Sequence, residues 1–258
     1  MITCKELAQQ VKDNVRDQIK KRHIEPTLAI VSVGHDTASE AYVKGKLKDC
    51  EEVGIKATHV ALPQGISLSN LEYYVSERGE DAVILQLPLP SHLDPDECSE
   101  LVWPPQDVDG LTPISRFTPC TARGIYEWLK ANTDLEGKHV VIINRSKLVG
   151  KPLAKLLIDS NATVTMCHSK TRDLPLITSM ADIVVVAVGQ PNFFEADMCK
   201  PNVIIVDVGI NRVDGKLVGD VNLSTTLESM TVTPVPGGVG LLTRAYLMDN
   251  VLKAYVDL

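Results

Sequence analysis

The sequence predicts an α/β protein made of two successive α/β units. Short apolar runs of the kind found in buried parallel strands alternate along the chain with amphipathic helical segments. A long segment rich in proline and acidic residues, 88–113, interrupts this alternation once. The chain has 258 residues, enough for two domains of about 100–150 residues each.

In the first unit, Thr3 and Glu6 form a capping box that predicts the start of a helix. A second helix is expected over 38–54, with Gly54 at its C-terminal end, and a third over 68–77. The apolar runs predict three strands between and after these helices, within residues 26–34, 56–62 and 81–87.

The second unit opens with a predicted helix over 121–132, capped by Thr121. Four further strands are expected, at 139–143, 162–167, 183–189 and 203–209. Three further helices are expected: one directly after the strand 139–143, one near 173–180 and one over 242–256. We therefore expect one domain over 1–120, completed by the C-terminal helix 242–258, and a second domain over 121–241.

Composition excludes several classes of function. The net charge of −7 argues against nucleic acid or an anionic membrane as the main partner. The six cysteines are scattered and form no C-x-x-C pair, so neither a metal site nor a disulfide framework is expected. Charged residues interrupt the N-terminal segment, unlike a signal peptide. The expectation is a soluble cytoplasmic protein.

Residues 139–155, "HVVIINRSKLVGKPLAK", have the strand–loop–helix pattern of the first βα turn of a dinucleotide site. The usual G-x-G-x-x-G is missing, and Gly150 is the one glycine in the loop. Gly150 would allow close packing at the helix start, and the helix N-terminus would favour a pyrophosphate. The same pattern also occurs in doubly wound proteins that bind no nucleotide.

The end of the next strand indicates which nucleotide would bind. Dinucleotide sites for NAD usually place an acidic residue there, whereas this chain has His168, Ser169 and Lys170. A carboxylate would repel a 2′-phosphate, while Lys170 and Arg145 would attract it. The residues favour NADP, although Lys170 is equally consistent with a solvated loop lysine.

Tyr42 and Lys46 lie four residues apart in a predicted helix and so share one face. Such a pair can carry out proton chemistry if the lysine is partly buried. The alternative is an exposed lysine beside a half-buried tyrosine.

Three polar residues mark a second candidate region. Gln86 ends an apolar strand, at the sheet edge where parallel sheets bind ligands, and is either a structural residue or a ligand contact. Asp107 and Asp109, in "QDVDG", could hold an amino-pyrimidine ring by paired hydrogen bonds, or could stabilise a turn.

Nine motifs together resemble the bifunctional methylenetetrahydrofolate dehydrogenase/methenyltetrahydrofolate cyclohydrolase family, in the family's order. They are "SEAYVKGK", "LQLPLP", "QDVDG", "PCTARG", "NRSKLVGKP", "CHSKT", "VDVGIN", "VGDV" and "TPVPGGVG". The resemblance implies an N-terminal α/β catalytic domain and a Rossmann-like NADP-binding domain with a cleft between them. It also implies a cytoplasmic homodimer that acts on tetrahydrofolate derivatives in one-carbon metabolism.

The resemblance implies a reaction in two steps. 5,10-Methylenetetrahydrofolate gives a hydride to NADP+, and water then opens the methenyl cation to 10-formyltetrahydrofolate. Lys46 resembles the essential lysine of the hydrolysis, Tyr42 the tyrosine that stacks on folate, Gln86 the glutamine bound to the lysine, and Asp109 the aspartate that holds the pterin.

The family also implies a cofactor set and a lining for the cleft. The cofactor set matches Asn144, Arg145, Ser146, Ser169 and Ile210. The substrate-binding segment matches Pro236, Gly237 and Gly238, within 236–240.

Three departures from the family pattern motivate alternatives. Asn144 replaces a glycine, Ala122 replaces a proline, and Leu241 and Leu242 stand where the family usually has Pro-Met. The alternatives are a monofunctional or NAD-using relative and a non-catalytic folate or nucleotide binder. A shikimate-type dehydrogenase shares the predicted architecture but would not explain "LQLPLP" or "QDVDG".

Overall fold

The structure is a computed structural model that describes residues 1–256, except for the side chains of residues 37 and 38. The chain divides into two compact units. The first unit comprises Gln9–Cys120 and the residues from Arg244 onward, and the second unit comprises Met1–Ala8 and Thr121–Thr243. The first eight residues therefore group with the second unit.

The first unit begins within α1, whose N-terminal end belongs to the second unit. Its helices and strands are α1 (Cys4–Arg22), β1 (Thr27–Val33), α2 (Thr37–Val53), β2 (Lys56–Leu62), α3 (Leu68–Ser76), β3 (Ala82–Leu85) and α4 (Pro95–Ser99). The predicted capping box is present, because the backbone N–H of Thr3 donates to Glu6 and that of Glu6 donates to the Thr3 hydroxyl. Gly54 ends α2 in the left-handed conformation, as the sequence predicts.

The three strands of the first unit form a parallel sheet in the order β2-β1-β3. β2 and β3 both follow β1 in the chain, and they lie on opposite sides of it in the sheet. This arrangement places a switch point of the topology at the carboxyl ends of β1 and β3, where open α/β sheets bind ligands. The segment 34–36, between β1 and α2, and Gln86, the residue after β3, both lie at this edge of the sheet.

The second unit contains most of the remaining elements. They are α5 (Cys120–Asn132), β4 (His139–Ile143), α6 (Gly150–Ile158), β5 (Thr163–Cys167), α7 (Leu174–Thr178), β6 (Ile183–Val186), β7 (Phe194–Glu195), β8 (Ile204–Asp207), β9 (Asn211–Val213), β10 (Lys216–Val218), β11 (Val221–Asn222), β12 (Thr231–Val232) and α8 (Val239–Val256). Most of α8 belongs to the first unit, where Leu247, Val251 and Leu252 are buried.

Five strands of the second unit form a parallel sheet in the order β12-β8-β6-β4-β5. The strand order reverses at β4, so the switch point lies beside its carboxyl end. The inner strands β4, β6 and β8 are almost fully buried, because helices of a doubly wound sheet cover both faces. The expected α/β class and parallel sheets are confirmed.

Two predicted helix starts are wrong. Thr121 does not precede α5 but is its second residue, and its hydroxyl group bonds to that of Thr243 at 3.1 Å. The last helix begins at Val239, three residues before the predicted start, because the PGG turn of 236–238 ends just ahead of it. No helix within residues 1–256 is both long and apolar enough to cross a membrane.

Candidate active site and nucleotide cavity

The centre of the first unit's site is a buried lysine. The Nζ atom of Lys46 donates to Oε1 of Gln86 at 3.0 Å, and the two residues are only 3% and 8% exposed. Gln86 continues β3 by one residue, since its backbone N–H donates to Val31 of β1 at 2.8 Å. Its amide nitrogen donates to the Leu87 carbonyl at 2.7 Å, which fixes the orientation of the amide and presents the oxygen to Lys46.

The two aspartates of "QDVDG" have different roles. Asp107 is buried and accepts hydrogen bonds from the backbone N–H groups of Leu111 and Thr112, so it stabilises the loop. Asp109 is partly exposed, and its Oδ2 atom lies 3.7 Å from Nζ of Lys46. A backbone bridge between Asp107 and Val83 holds this segment beside β3, and this places Asp109 at the lysine.

Tyr42 completes this group from α2. The centroid of its ring lies 5.3 Å from Nζ of Lys46, within the range of a cation–π interaction. Tyr42 is half-buried. The structure thus brings together the four residues singled out for chemistry in this unit: an aromatic face, a buried amine, an amide and a carboxylate.

The second unit has a cavity of ≈ 630 Å³ at the carboxyl ends of β4, β5 and β6. This volume lies within the range of about 300–1,000 Å³ typical of cofactor sites. The residues that line it are Ile143, Asn144, Arg145, His168, Ser169, Thr171, Leu174, Ala187, Val188, Gln190 and Phe193. The cavity therefore lies at the switch point of this sheet, and no carboxylate is among its lining residues.

Asn144 connects the two loops that border this cavity. Its Oδ1 atom accepts the backbone N–H groups of Ser146 at 2.8 Å and Gly150 at 3.0 Å. Its Nδ2 atom donates to the Ala187 carbonyl, after β6, at 2.6 Å. A Cβ atom on residue 150 would overlap the Asn144 carbonyl, so this close approach requires glycine.

The backbone N–H groups in the first turn of α6 are less available to a ligand than the sequence suggests. The N–H of Gly150 donates to Asn144, that of Lys151 to the Ser146 carbonyl, and that of Leu153 to the Val149 carbonyl. Pro152 has no N–H group. Each backbone donor of this turn already has an acceptor in the protein, so a pyrophosphate here would depend on side chains.

The predicted cofactor residues fall into two sets. Asn144, Arg145 and Ser169 line the cavity, and Arg145 and Ser169 are exposed. The Ser146 hydroxyl accepts the N–H of Val149 at 3.1 Å and stabilises the loop, and Ile210 is exposed beyond the end of β8. Neither Ser146 nor Ile210 is among the lining residues of the cavity as the structure describes it.

Two family models match almost the whole chain. Residues 2–109 match the catalytic domain of tetrahydrofolate dehydrogenase/cyclohydrolase, and residues 119–257 match the NAD(P)-binding domain of the same enzymes. The chain belongs to the tetrahydrofolate dehydrogenase/cyclohydrolase family. It is thus a bifunctional enzyme of one-carbon folate metabolism, with a dehydrogenase and a cyclohydrolase activity.

Individual relatives agree with this assignment. The bifunctional protein FolD of Exiguobacterium sibiricum is 40% identical over 272 aligned positions, which cover 98% of each chain. The crystal structure of the bifunctional enzyme FolD from Campylobacter jejuni superposes with a TM-score of 0.93 at 40% identity, over 98% of this chain and 97% of that one. The Trypanosoma brucei enzyme, crystallised with NADP cofactor and an inhibitor, gives a TM-score of 0.93 at 30% identity, over 100% and 97%.

The segment 236–240, for which the sequence predicts a substrate-binding role, lies in the second unit. Pro236 and Gly237 are exposed in the turn before α8, and Gly238 is buried against the Pro234 carbonyl. Leu242, one of the departures from the family pattern, is fully buried and packs against Gly124 of α5.

Two buried aspartates were missed as functional candidates at the sequence level. Asp207 accepts the backbone N–H groups of Gly209, Asp220 and Val221, and its burial raises the pKa of its carboxyl group. Asp220 accepts the backbone N–H groups of Val188, Gly189 and Gln190, after β6. Both lie in family strings, "VDVGIN" and "VGDV", which were the available signal.

Proposed function

We propose that the chain oxidises 5,10-methylenetetrahydrofolate to 5,10-methenyltetrahydrofolate with NADP+ and hydrolyses the product to 10-formyltetrahydrofolate. The observation that carries this proposal is the buried hydrogen bond between Lys46 and Gln86, with the Asp109 carboxylate 3.7 Å away. A lysine is seldom buried without a function or a full set of partners, because removing its charge from water is costly.

In this proposal, the first unit binds and orients the folate. The half-buried Tyr42 ring stacks on the planar part of the substrate, and Asp109 accepts hydrogen bonds from the amino-pyrimidine edge of the pterin. Lys46 lies between these two groups, within 5.3 Å of the tyrosine centroid. The lysine is therefore placed to act on the part of the folate that joins the pterin to the aromatic ring.

The hydrolysis step needs a proton carrier at that position. Water adds to the carbon of the methenyl cation and releases a proton, and in this proposal the amine of Lys46 accepts it. The hydroxyl group on that carbon then loses its proton as the C=O bond forms, the bond from the carbon to N5 breaks, N5 takes up a proton, and the formyl group stays on N10. Gln86 accepts a hydrogen bond from Nζ and so holds the lysine in one rotamer throughout.

The dehydrogenase step needs the nicotinamide cofactor of the second unit. NADP+ supplies the hydride acceptor when it is bound. The donor set fits its 2′-phosphate, because Arg145, His168 and Ser169 line the cavity and the five residues after β5, 168–172, include no acidic residue. The residues of this unit bind and align the cofactor and carry out no proton transfer themselves.

An absorbance assay of the purified protein tests the proposal. With methylenetetrahydrofolate, NADP+ is expected to be reduced, and with the methenyl compound alone the methenyl absorbance is expected to disappear faster than without enzyme. A protein that catalyses neither reaction, or that reduces NAD+ as well as NADP+, would contradict the proposed activities or the proposed cofactor.

We also propose that the enzyme is a homodimer in the cytoplasm, as the family resemblance implies. The test for the first part is a molar mass from light scattering. A value near 56 kDa, twice the 28.2 kDa of the chain, is expected, and a value near that of one chain would contradict it.

A further inference from the structure

The loop that leaves β6 supplies a large part of the cavity wall. Ala187, Val188, Gln190 and Phe193 line the cavity, and all four lie in the connection between β6 and β7. This connection has no helix or long strand of its own. Its shape must therefore be fixed by hydrogen bonds to other parts of the unit.

One carboxylate accepts three of the backbone N–H groups of this connection. Oδ2 of Asp220 accepts the N–H groups of Val188 at 2.7 Å and Gly189 at 2.9 Å, and Oδ1 accepts the N–H of Gln190 at 2.9 Å. Three successive N–H groups that converge on one anion form a nest, which is a strong binding geometry for a carboxylate. Gly189 has a positive φ of 67°, as this curvature of the backbone requires.

The backbone of Asp220 holds the far end of the same loop. Its carbonyl accepts the N–H of Phe194 at 2.9 Å, where β7 pairs with β11. The side chain of Asp220 thus binds the start of the loop at Val188, and its backbone carbonyl binds the end of the loop at Phe194. Asp220 itself is fully buried, so no water competes for these bonds.

Asp220 is in turn held by its own surroundings. Its N–H donates to Oδ1 of Asp207 at 2.9 Å, and Nδ2 of Asn211 donates to its Oδ1 atom at 2.9 Å. A Cβ atom on residue 209 would overlap the Asp220 carboxylate, so glycine is needed for this approach. The carboxylate has little freedom to move.

We propose that Asp220 is a positioning residue for the nucleotide cavity, which acts through the loop after β6 and does not touch the cofactor. This inference rests on the proposed function in one respect, that the cavity binds the nicotinamide cofactor. According to this inference, Asp220 contributes to the affinity for the cofactor without contacting it. It also predicts that the cyclohydrolase step, whose residues lie in the first unit, does not depend on Asp220.

The test is the KM for NADP+ and the affinity for NADP+ by calorimetry in Asp220→Asn. An amide cannot accept on both sides, so at least one buried N–H of the loop loses its partner. We expect KM and Kd to rise by about tenfold or more, with kcat little changed because the wall binds ground state and transition state alike. Asn211→Ala, which removes one donor to the carboxylate, should give a smaller rise.

Asp182→Asn is the matched control. Asp182 also accepts a backbone N–H, from His139 at 2.8 Å, but lies at the amino end of β6. It should leave the KM for NADP+ unchanged. Unchanged affinity in Asp220→Asn, an equal rise in Asp182→Asn, or loss of both activities together in Asp220→Asn would overturn the inference. If the unaltered enzyme bound neither NADP+ nor NAD+, the proposed function would fail as well.

Discussion

The Nζ atom of Lys46 lies 3.0 Å from Oε1 of Gln86, and neither side chain is more than 8% exposed. An intramolecular hydrogen bond contributes about 0.5–1.5 kcal/mol to stability, and breaking a buried one leaves a polar group with neither a partner nor solvent. The pair therefore links the stability of the first unit to the geometry of the proposed reaction.

Gln86→Leu tests this link. Loss of the amide oxygen should lower the free energy of unfolding by about 1–3 kcal/mol and lower the cyclohydrolase rate, because Lys46 loses its acceptor. Denaturant unfolding measures the first effect. In the double variant Gln86→Leu/Lys46→Met, adding Lys46→Met should lower the free energy of unfolding much less than Lys46→Met does in the unaltered protein. Additive losses would show that the two residues act independently.

Arg145→Ala tests the choice of cofactor. Arg145 is exposed at the rim of the cavity, and no carboxylate is among the residues that line it. Its removal should lower kcat/KM with NADP+ by about tenfold or more and affect NAD+ far less, since a 2′-phosphate contact is lost. Lys155→Ala, on the exposed face of α6 and paired with Asp159, is the control. Equal losses with both cofactors would refute the role.

Asn144→Gly restores the residue that the family usually has. The substitution removes three hydrogen bonds, so we expect the free energy of unfolding to fall by about 1–2 kcal/mol. It also frees the N–H groups of Ser146 and Gly150 for a pyrophosphate, and the KM for NADP+ should fall severalfold. A higher KM would instead mean that Asn144 holds the loop ready for the cofactor.

We expect burial to make three thiols slow to react. It raises the pKa of Cys4 and of Cys199 to about 11 and that of Cys50 to about 12. Since the thiolate is the nucleophile, a pKa of about 11 leaves about one thiol in a thousand reactive at pH 8. Iodoacetamide should modify these residues slowly at pH 8 and faster toward pH 10, as peptide mass spectrometry can follow. Rapid modification at pH 8 would contradict this burial.

Much of the fold follows from local pattern. The apolar runs locate the main strands, because a strand of a parallel sheet is buried on both faces and carries no polar alternation. The capping box at Thr3 and the helix end at Gly54 are local signals and agree with the structure. The two-residue strands β7, β11 and β12 carry no such pattern and were not predicted.

The contacts within the site could not be predicted from local sequence pattern. Asp107 and Asp109 are two residues apart in one motif, and only three-dimensional contacts separate the loop-stabilising aspartate from the one near Lys46. Asp220 lies 30 residues or more from the N–H groups that it accepts. Hydrogen bonds between a side chain and a distant backbone leave no periodicity in the sequence, so their function could not be predicted from it.

The measurement that tests the account most directly is the cyclohydrolase rate of Lys46→Met beside that of Lys44→Met. Both lysines lie on α2, but Lys44 is exposed and Lys46 is buried against Gln86. If Lys46 carries the proton, its loss should lower the rate by about 10²–10⁴-fold, whereas Lys44→Met should retain nearly full activity. Full cyclohydrolase activity in a folded Lys46→Met enzyme would contradict the proposed mechanism.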